Sequence, residues 1–522
     1  MISQKILNSR TTIVFIIPFV LGMLSVLSFE PFNLTFVNFI ILPFLFLTIS
    51  YVNKKSKSTY RKRPYYRNFF YVGYLFGIGF FLSGTFWISY SLTFDENFKF
   101  LIPFALILFP ILLGLFFGFG TLAIGPFIKS NNSSIFMFCI SFSVLDYFRS
   151  KILTGFPWNL WAYSWSWWPE VIQILGTIGL FAFNLLTLTV FCFPLLILLN
   201  KDKNKLMSLF IIGILFFSNY LYGSFKINQD KQKYSVNALN AQDLINLKII
   251  SPNFDLKYNL ELTEIEKKIK QLIKYSEPQV KKNTLFIWPE GVFVGSNYKD
   301  LQKYKSLFKK SFSNNHIIVF GINTLSTTSG EFFNSLIAVN NDFEIIYRYD
   351  KEKLVPFGEF LPLENMFKKL GVKKITEGYG SFTSGSSNEY LTINKFNIMP
   401  LICYEIIFTE FIQKIQKDVN LIINISEDAW FGGSIGPHQH FAKAIFRAVE
   451  SNKILARSAN KGISAFINNN GQVIKRLEPN EKGNIELDIP LFNNSSGNKN
   501  DLIFFMLLFT YTSFYLILRK KI

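Results

Sequence analysis

The chain has 522 residues, half of them apolar and 18% aromatic, with a formal net charge of +19 and a mean hydropathy of +0.26. One ordinary soluble domain does not carry that much apolar surface. The apolar content is also uneven, coming in long blocks up to about residue 225 and only in short runs afterwards.

The blocks reach the length of about 20 helical residues that a hydrocarbon core requires. They are Thr11–Ser28, Leu34–Tyr51, Phe69–Ser91, Phe100–Ile128, Ser134–Tyr147, Val171–Leu199 and Leu206–Phe225, and Leu502–Leu518 supplies an eighth. The first is followed by no small-residue cleavage site and reads as an anchor. The fifth is the shortest and ends near Asp146.

Basic residues alternate between the loops. Lys5 and Arg10 precede the first span, and Lys54, Lys55, Lys57, Arg61, Lys62, Arg63 and Arg67 fill the loop after the second. Lys129 follows the fourth span, Lys201, Lys203 and Lys205 follow the sixth, and Arg519-Lys520-Lys521 follow the last. The intervening loops are poor in Lys and Arg, so both termini are expected in the cytoplasm and residues 226–498 outside. Nucleic acid is excluded as the reason for the charge, because the cations flank membrane spans, where anionic lipid is their partner. Between the fifth and sixth spans, Gly155-Phe156-Pro157-Trp158 is followed by Trp161, Tyr163, Trp165, Trp167 and Trp168. That density predicts an aromatic belt at the membrane interface, with Trp158 a candidate lipid contact.

The outer domain opens at Leu247–Asn253, a strand, and continues into a helix for which Thr263 is a plausible cap with Glu266 three residues on. Further strands are expected at Leu285–Ile287, His316–Gly321, Phe332–Val339, Glu344–Tyr347 and Ile398–Ile402. Short apolar strands alternating with amphipathic helices make this an α/β domain. Three reactive side chains sit at or just past strand ends: Glu290, Lys351 and Cys403. Cys139 and Cys192 fall within spans, so Cys403 has no disulfide partner in the outer domain. A thiol needs a base to attack a carbonyl. With three histidines in the whole chain, a carboxylate is the better candidate, which gives Glu290 that role and a pKa raised by partial burial. Lys351 would hold the oxyanion, aided by a backbone N–H near Cys403. His438-Gln439-His440 lacks acidic or thiol ligands at a matching spacing and does not read as a metal site.

These residues resemble a known family. Glu, then Lys351 three residues before Leu354, then Cys is the order of the nitrilase superfamily. Leu354-Val355-Pro356-Phe357-Gly358-Glu359, Cys403-Tyr404-Glu405 and the run from Asn424 to Gly432 are similar to its membrane branch, the apolipoprotein N-acyltransferases. So are Gly436–Phe441, Arg447–Glu450 and Arg457–Asn460, and the likeness covers essentially the whole chain. It implies a polytopic helical membrane domain of about eight spans plus an αββα sandwich. It divides the chain into a membrane domain (1–225), an extracytoplasmic catalytic domain (226–498) and a final span with a basic tail (499–522).

The resemblance further implies a phospholipid acyl donor, a Cys403 thioester and a diacylated lipoprotein as acceptor, at the outer face of a bacterial inner membrane. No cofactor or metal is implied, and a monomer is expected. Glu359, Glu405, Tyr404 and Asn334 are expected to support the site, with Tyr258, Trp430 and Trp158 as lid or lipid contacts. Three departures stand out: Tyr258 where the family tends to carry Trp, Glu427 where Asn is commoner, and Lys353 where many relatives have His. Two other functions compete. A membrane-tethered amidase would leave the aromatic outer loops unexplained. A transporter predicts ionisable residues deep in the spans, and these spans hold almost none.

Overall fold

The computed structural model describes residues 9–56, 65–199, 204–240, 244–257, 260–326, 330–362, 381–386, 389–416, 418–491, 497 and 500–520. Tyr258 and much of the basic loop after the second span lie outside the described residues. The chain divides into two compact units, one of Met1–Ser89, Phe100–Lys226 and Asn500–Ile522, the other of Tyr90–Lys99 and Ile227–Lys499.

Seven helices among the described residues are long and apolar enough to cross a membrane: Thr11–Ser28, Thr35–Ser56, Tyr66–Thr93, Glu96–Ile124, Leu180–Leu199, Phe210–Gln232 and Leu502–Lys520. A further helix, Asn132–Lys151, falls outside that set but has 20 residues, enough for a rise of about 30 Å. It is more polar than the others and compensates internally. The buried Asp146 pairs with Arg149 at 2.8 Å and accepts from Asn184 Nδ2 at 2.9 Å, while Arg149 Nη1 donates to the Phe156 carbonyl at 2.5 Å.

Three expectations need correction in the membrane unit. The sixth segment, 171–199, is not one helix but Pro169–Ile172, Leu175–Ile178, Leu180–Phe191 and Pro194–Leu199. Gly179 breaks it at φ +80, a conformation that glycine adopts without steric cost, and Pro194 lacks the N–H to continue the ladder. The seventh helix runs on past Phe225, from Asn204 to Asn240, since neither Gly nor Pro follows Gly223. Trp158 is buried, packed 4.6 Å from Trp87 and stacked on Phe156, rather than facing lipid. Trp161, Tyr163 and Trp165 are buried as well. The loop is tied inward by Asn184 Oδ1, which accepts from Ala162 N–H, and by the Thr35 hydroxyl on the Ser164 carbonyl.

In the second unit twelve strands form two six-stranded sheets among the described residues. The first sheet holds β1 (Leu244–Ser251), β2 (Thr284–Ile287), β3 (His316–Leu325), β4 (Phe332–Val339) and β5 (Ile345–Asp350). The second holds β6 (Leu391–Ile393), β7 (Phe396–Ile402), β8 (Val419–Glu427), β9 (Ile454–Asn460), β10 (Ser464–Ile467) and β11 (Val473–Leu477). β12 (Gly483–Pro490) returns to the first sheet, giving the orders β12-β1-β2-β3-β4-β5 and β11-β10-β9-β8-β7-β6. Each sheet contains a parallel trio, β1-β2-β3 and β7-β8-β9.

Alternation along the strands sends Leu247, Ile249, Leu285 and Ile287 inward against Ile398, Leu421, Ile423 and Ile425 of the other sheet. The opposite face of the first sheet, with Phe286, Ile318 and Phe320, takes the stripe Ile265, Ile269 and Leu272 of the helix Leu262–Ser276. The cap of that helix is Glu261, two residues before the predicted Thr263, because the Glu264 carboxylate accepts the Glu261 N–H at 3.1 Å. The helix Gly436–Ser451 packs on β9 and β10 and completes the αββα sandwich.

Candidate active site

The carboxyl ends of parallel strands are where an α/β architecture gathers reactive groups. Glu290 follows β2, whose line is extended by Trp288 N–H donating to Val319 O at 2.8 Å. Gly321 on β3 lets the layers close here. A Cβ at that position would lie 2.8 Å from Glu290 Cα and 3.1 Å from Ile425 Cδ1. Lys351 follows β5, held by its own N–H to Asn334 O at 2.9 Å. Cys403 follows β7 at φ +49, a conformation uncommon outside glycine.

The predicted residues form one cluster. Lys351 Nζ is 2.8 Å from Glu359 Oε1 and 3.5 Å from Glu290 Oε1. Asn334 Nδ2 donates to the same two carboxylates, at 2.8 Å to Glu290 and 2.6 Å to Glu359. Glu290 Oε2 accepts the Glu427 N–H at 3.0 Å, and Glu359 Oε2 accepts the Val355 N–H at 2.8 Å. Lys351 is buried, which alone would lower its pKa, but Glu290 and Glu359 outweigh burial and hold the ammonium charged. The Cys403 thiol is pushed well above its ordinary value by burial and then by Glu290, against a lowering pull from Lys351. Its resting form is therefore the thiol, and a base has to act when it attacks.

Glu405 supports the cluster from behind. Its Oε1 accepts from Tyr349 Oη at 2.9 Å and from the N–H groups of Glu352 and Lys353 at 2.7 and 3.1 Å. Its Oε2 accepts the Ile402 N–H at 2.8 Å. Burial raises its pKa to about 7. The Tyr404 ring stands edge-on to Phe408 at 5.0 Å, and burial raises its hydroxyl pKa. Lys353 points away, to Glu410 at 3.1 Å and over the Phe408 ring. Trp430 is half-buried and stands edge-on to Phe94 at 5.4 Å.

Two groups beside the cluster were given no role in the sequence reading, although it singled out Glu427 and the runs that hold Asp428, His440 and Arg457. The first is a buried network below Cys403. His440 Nε2 lies 3.3 Å from the Cys403 carbonyl oxygen, and His440 Nδ1 lies 3.0 Å from both Asp428 Oδ1 and Arg457 Nη2. Arg457 Nη2 donates to Asp428 Oδ2 at 2.8 Å, Arg457 Nη1 donates to Asn424 Oδ1, and Ser426 Oγ donates to Asp428 Oδ1 at 2.7 Å. Burial would raise the Asp428 pKa, but Arg457 and His440 bring it below its ordinary value. Burial, then Arg457, depresses His440 to about 4, so its imidazole is neutral.

The second group is Glu427, whose carboxyl accepts from Asn460 Nδ2 at 2.9 and 3.0 Å and from Ala429 N–H at 3.0 Å. Burial raises its pKa to about 8. The available signal was a Ser-Glu-Asp run at a strand end, where three polar residues in succession need buried partners. Among the described residues no group of three His, Cys, Asp or Glu could hold a metal ion, and His438 and His440 stand two residues apart on a helix, on different faces.

Comparison with known proteins gives matches over both units. Residues 21–193 match the apolipoprotein N-acyltransferase N-terminal domain, and residues 248–493 match the carbon-nitrogen hydrolase family. The chain is 32% identical over 482 residues to an apolipoprotein N-acyltransferase of Rickettsia prowazekii, covering 91% of this chain and 92% of that one. It is 30% identical over 432 residues to a protein of the same description from Allorhizobium ampelinum, covering 80% and 79%. Among solved structures, an amidase from Nesterenkonia sp. matches 47% of this chain and 90% of its own, with 15% identity and a TM-score of 0.34.

Proposed function

Because the chain belongs to the apolipoprotein N-acyltransferase family, we propose that it moves an acyl chain from a phospholipid, through a Cys403 thioester, to the α-amine of a diacylglyceryl-cysteine at a lipoprotein N-terminus. The observation that carries the chemistry is the Lys351 ammonium lying between Glu290 and Glu359 beside the Cys403 thiol. Glu290 takes the thiol proton as Sγ attacks the ester carbonyl. Lys351 Nζ holds the oxyanion, the C–O bond breaks, and the departing lysophospholipid oxygen receives the proton from Glu290. In the second half the amine attacks the thioester, Glu290 takes the amine proton, and Sγ leaves and is reprotonated. Water has to be kept from the thioester in between.

We place the catalytic domain, residues 226–498, on the periplasmic side of the inner membrane, with the membrane domain at 1–225 and the final span and its tail at 499–522. A ping-pong route requires the acyl-enzyme to accumulate when no amine is supplied. Incubated with phospholipid alone, the protein should gain one acyl mass that hydroxylamine removes, and Cys403→Ser should gain none. Lys351→Ala should lower the acylation rate on the order of 10²–10³-fold, the cost of one oxyanion donor, and Lys353→Ala should be mild. An acyl group found on Cys139 or Cys192, or equal effects of the two lysines, would reject these assignments. Release of free acid or ammonia from a small amide, with no acylation from phospholipid, would favour the amidase reading instead.

A further inference from the structure

We propose that His440 is a positioning residue for acyl transfer: by hydrogen-bonding the Cys403 carbonyl it fixes the Cys403–Tyr404 peptide plane, and so aims the Tyr404 N–H as the oxyanion donor that works alongside Lys351. The proposal rests on the reading of Cys403 as the nucleophile. A carbonyl oxygen only accepts, so the 3.3 Å contact requires the proton on His440 Nε2. A neutral imidazole protonated there has a bare Nδ1, and Arg457 Nη2, always charged, stands 3.0 Å from it. Asp428 Oδ1 lies at the same 3.0 Å from Nδ1, so it is the Cys403 carbonyl, which can only accept, that puts the proton on Nε2. Asp428 accepts from the same guanidinium nitrogen at 2.8 Å and holds it in place, with its other oxygen bound by Ser426. Imidazole, guanidinium and carboxylate are all buried, so the arrangement does not exchange with solvent.

The consequence for the site follows from the peptide unit. The Cys403 C=O and the Tyr404 N–H share one rigid plane and point in opposite directions. Fixing the oxygen fixes the direction of the N–H, and a hydrogen bond to the oxygen polarises the N–H further. The residue itself is also held in place, since Cys403 sits at φ +49. A residue in such a conformation keeps it only when its surroundings over-determine it.

The test separates aiming an oxyanion donor from merely supporting the thiol. Two reagents are offered to Cys403: a p-nitrophenyl ester, whose attack builds an oxyanion, and iodoacetamide, whose alkylation does not. His440→Leu should slow acylation on the order of 10²-fold, the cost of one mis-aimed donor, and leave alkylation little changed. His440→Gln, whose amide NH₂ stands where Nε2 stood, should recover most of that loss. His440→Asn, whose amide reaches only the Nδ1 position, should not. Unchanged acylation in His440→Leu, a parallel fall in alkylation, or better rescue by Asn than by Gln would each overturn the proposal. If the Leu variant does not fold, the Gln and Asn variants decide it alone. Acylation of the wild type by the p-nitrophenyl ester but not by phospholipid would reject the donor assignment and leave the His440 comparison standing.

Discussion

At the scale of single residues, two buried acids should leave a signature in stability. Glu405 and Glu427 keep their protons in the folded protein up to about pH 7 and about pH 8 because burial penalises their charged forms. A carboxyl raised on folding contributes stability that is full at low pH and lost as pH rises through its folded value. His440, at about 4, and the lowered His316 and His438 act in the opposite sense, but only below their ordinary 6.5. Between pH 6.5 and 8 the carboxyls act alone, so the melting temperature in detergent should fall across that interval. Glu427→Gln should remove most of the fall, and a wild-type melting temperature that does not move would show that Glu427 is not a neutral buried acid. Glu290 and Cys403 were readable in the sequence because each follows an apolar run, and Lys351, among Asp350, Glu352 and Lys353, was picked out by its spacing to Leu354. His440, Asp428 and Arg457 were not, since they come together only when β8, β9 and the helix Gly436–Ser451 pack.

At the scale of elements, β1 to β5 and β7 were readable, whereas β6 and β8 to β12 were not expected. A strand shows as a short apolar run, and Phe332–Val339 matches β4 at both ends. Hydropathy alone does not report where one apolar stretch breaks, as at Gly179, or whether a tryptophan-rich loop packs inward, as Trp158 does. The polar helix Asn132–Lys151 carries a buried ion pair, Asp146 with Arg149. Arg149→Met would leave Asp146 buried without its partner, a loss of about 3–5 kcal/mol. Thermal aggregation in detergent should show a large drop for Arg149→Met and a partial recovery when Asp146→Asn is added. Equal stability of wild type and Arg149→Met would mean that the pair at 2.8 Å contributes nothing to holding the helix end.

At the scale of the whole molecule, the expected topology can be read through the thiols. A membrane-impermeant maleimide added to intact spheroplasts should label Cys403 and leave Cys139 and Cys192, both buried in the membrane unit, unmodified. Protein already carrying an acyl chain should resist that labelling. Labelling of Cys403 only after the membrane is broken would invert the orientation. The membrane unit is also assembled from three separate stretches of chain, the last of which is the helix Leu502–Lys520. That helix closes against Asn132–Lys151 and Leu180–Phe191, with Tyr511 Oη 2.8 Å from Thr189 Oγ1, Phe504 stacked on Tyr147 and Phe514 stacked on Phe136. A ribosome making on the order of 5–20 residues per second needs tens of seconds to travel from the seventh helix to this one. Throughout that interval the catalytic domain is still being made and the bundle stays open. The nascent chain thus has to wait in the bilayer with one seam unsealed, and its last helix acts as the closing stitch.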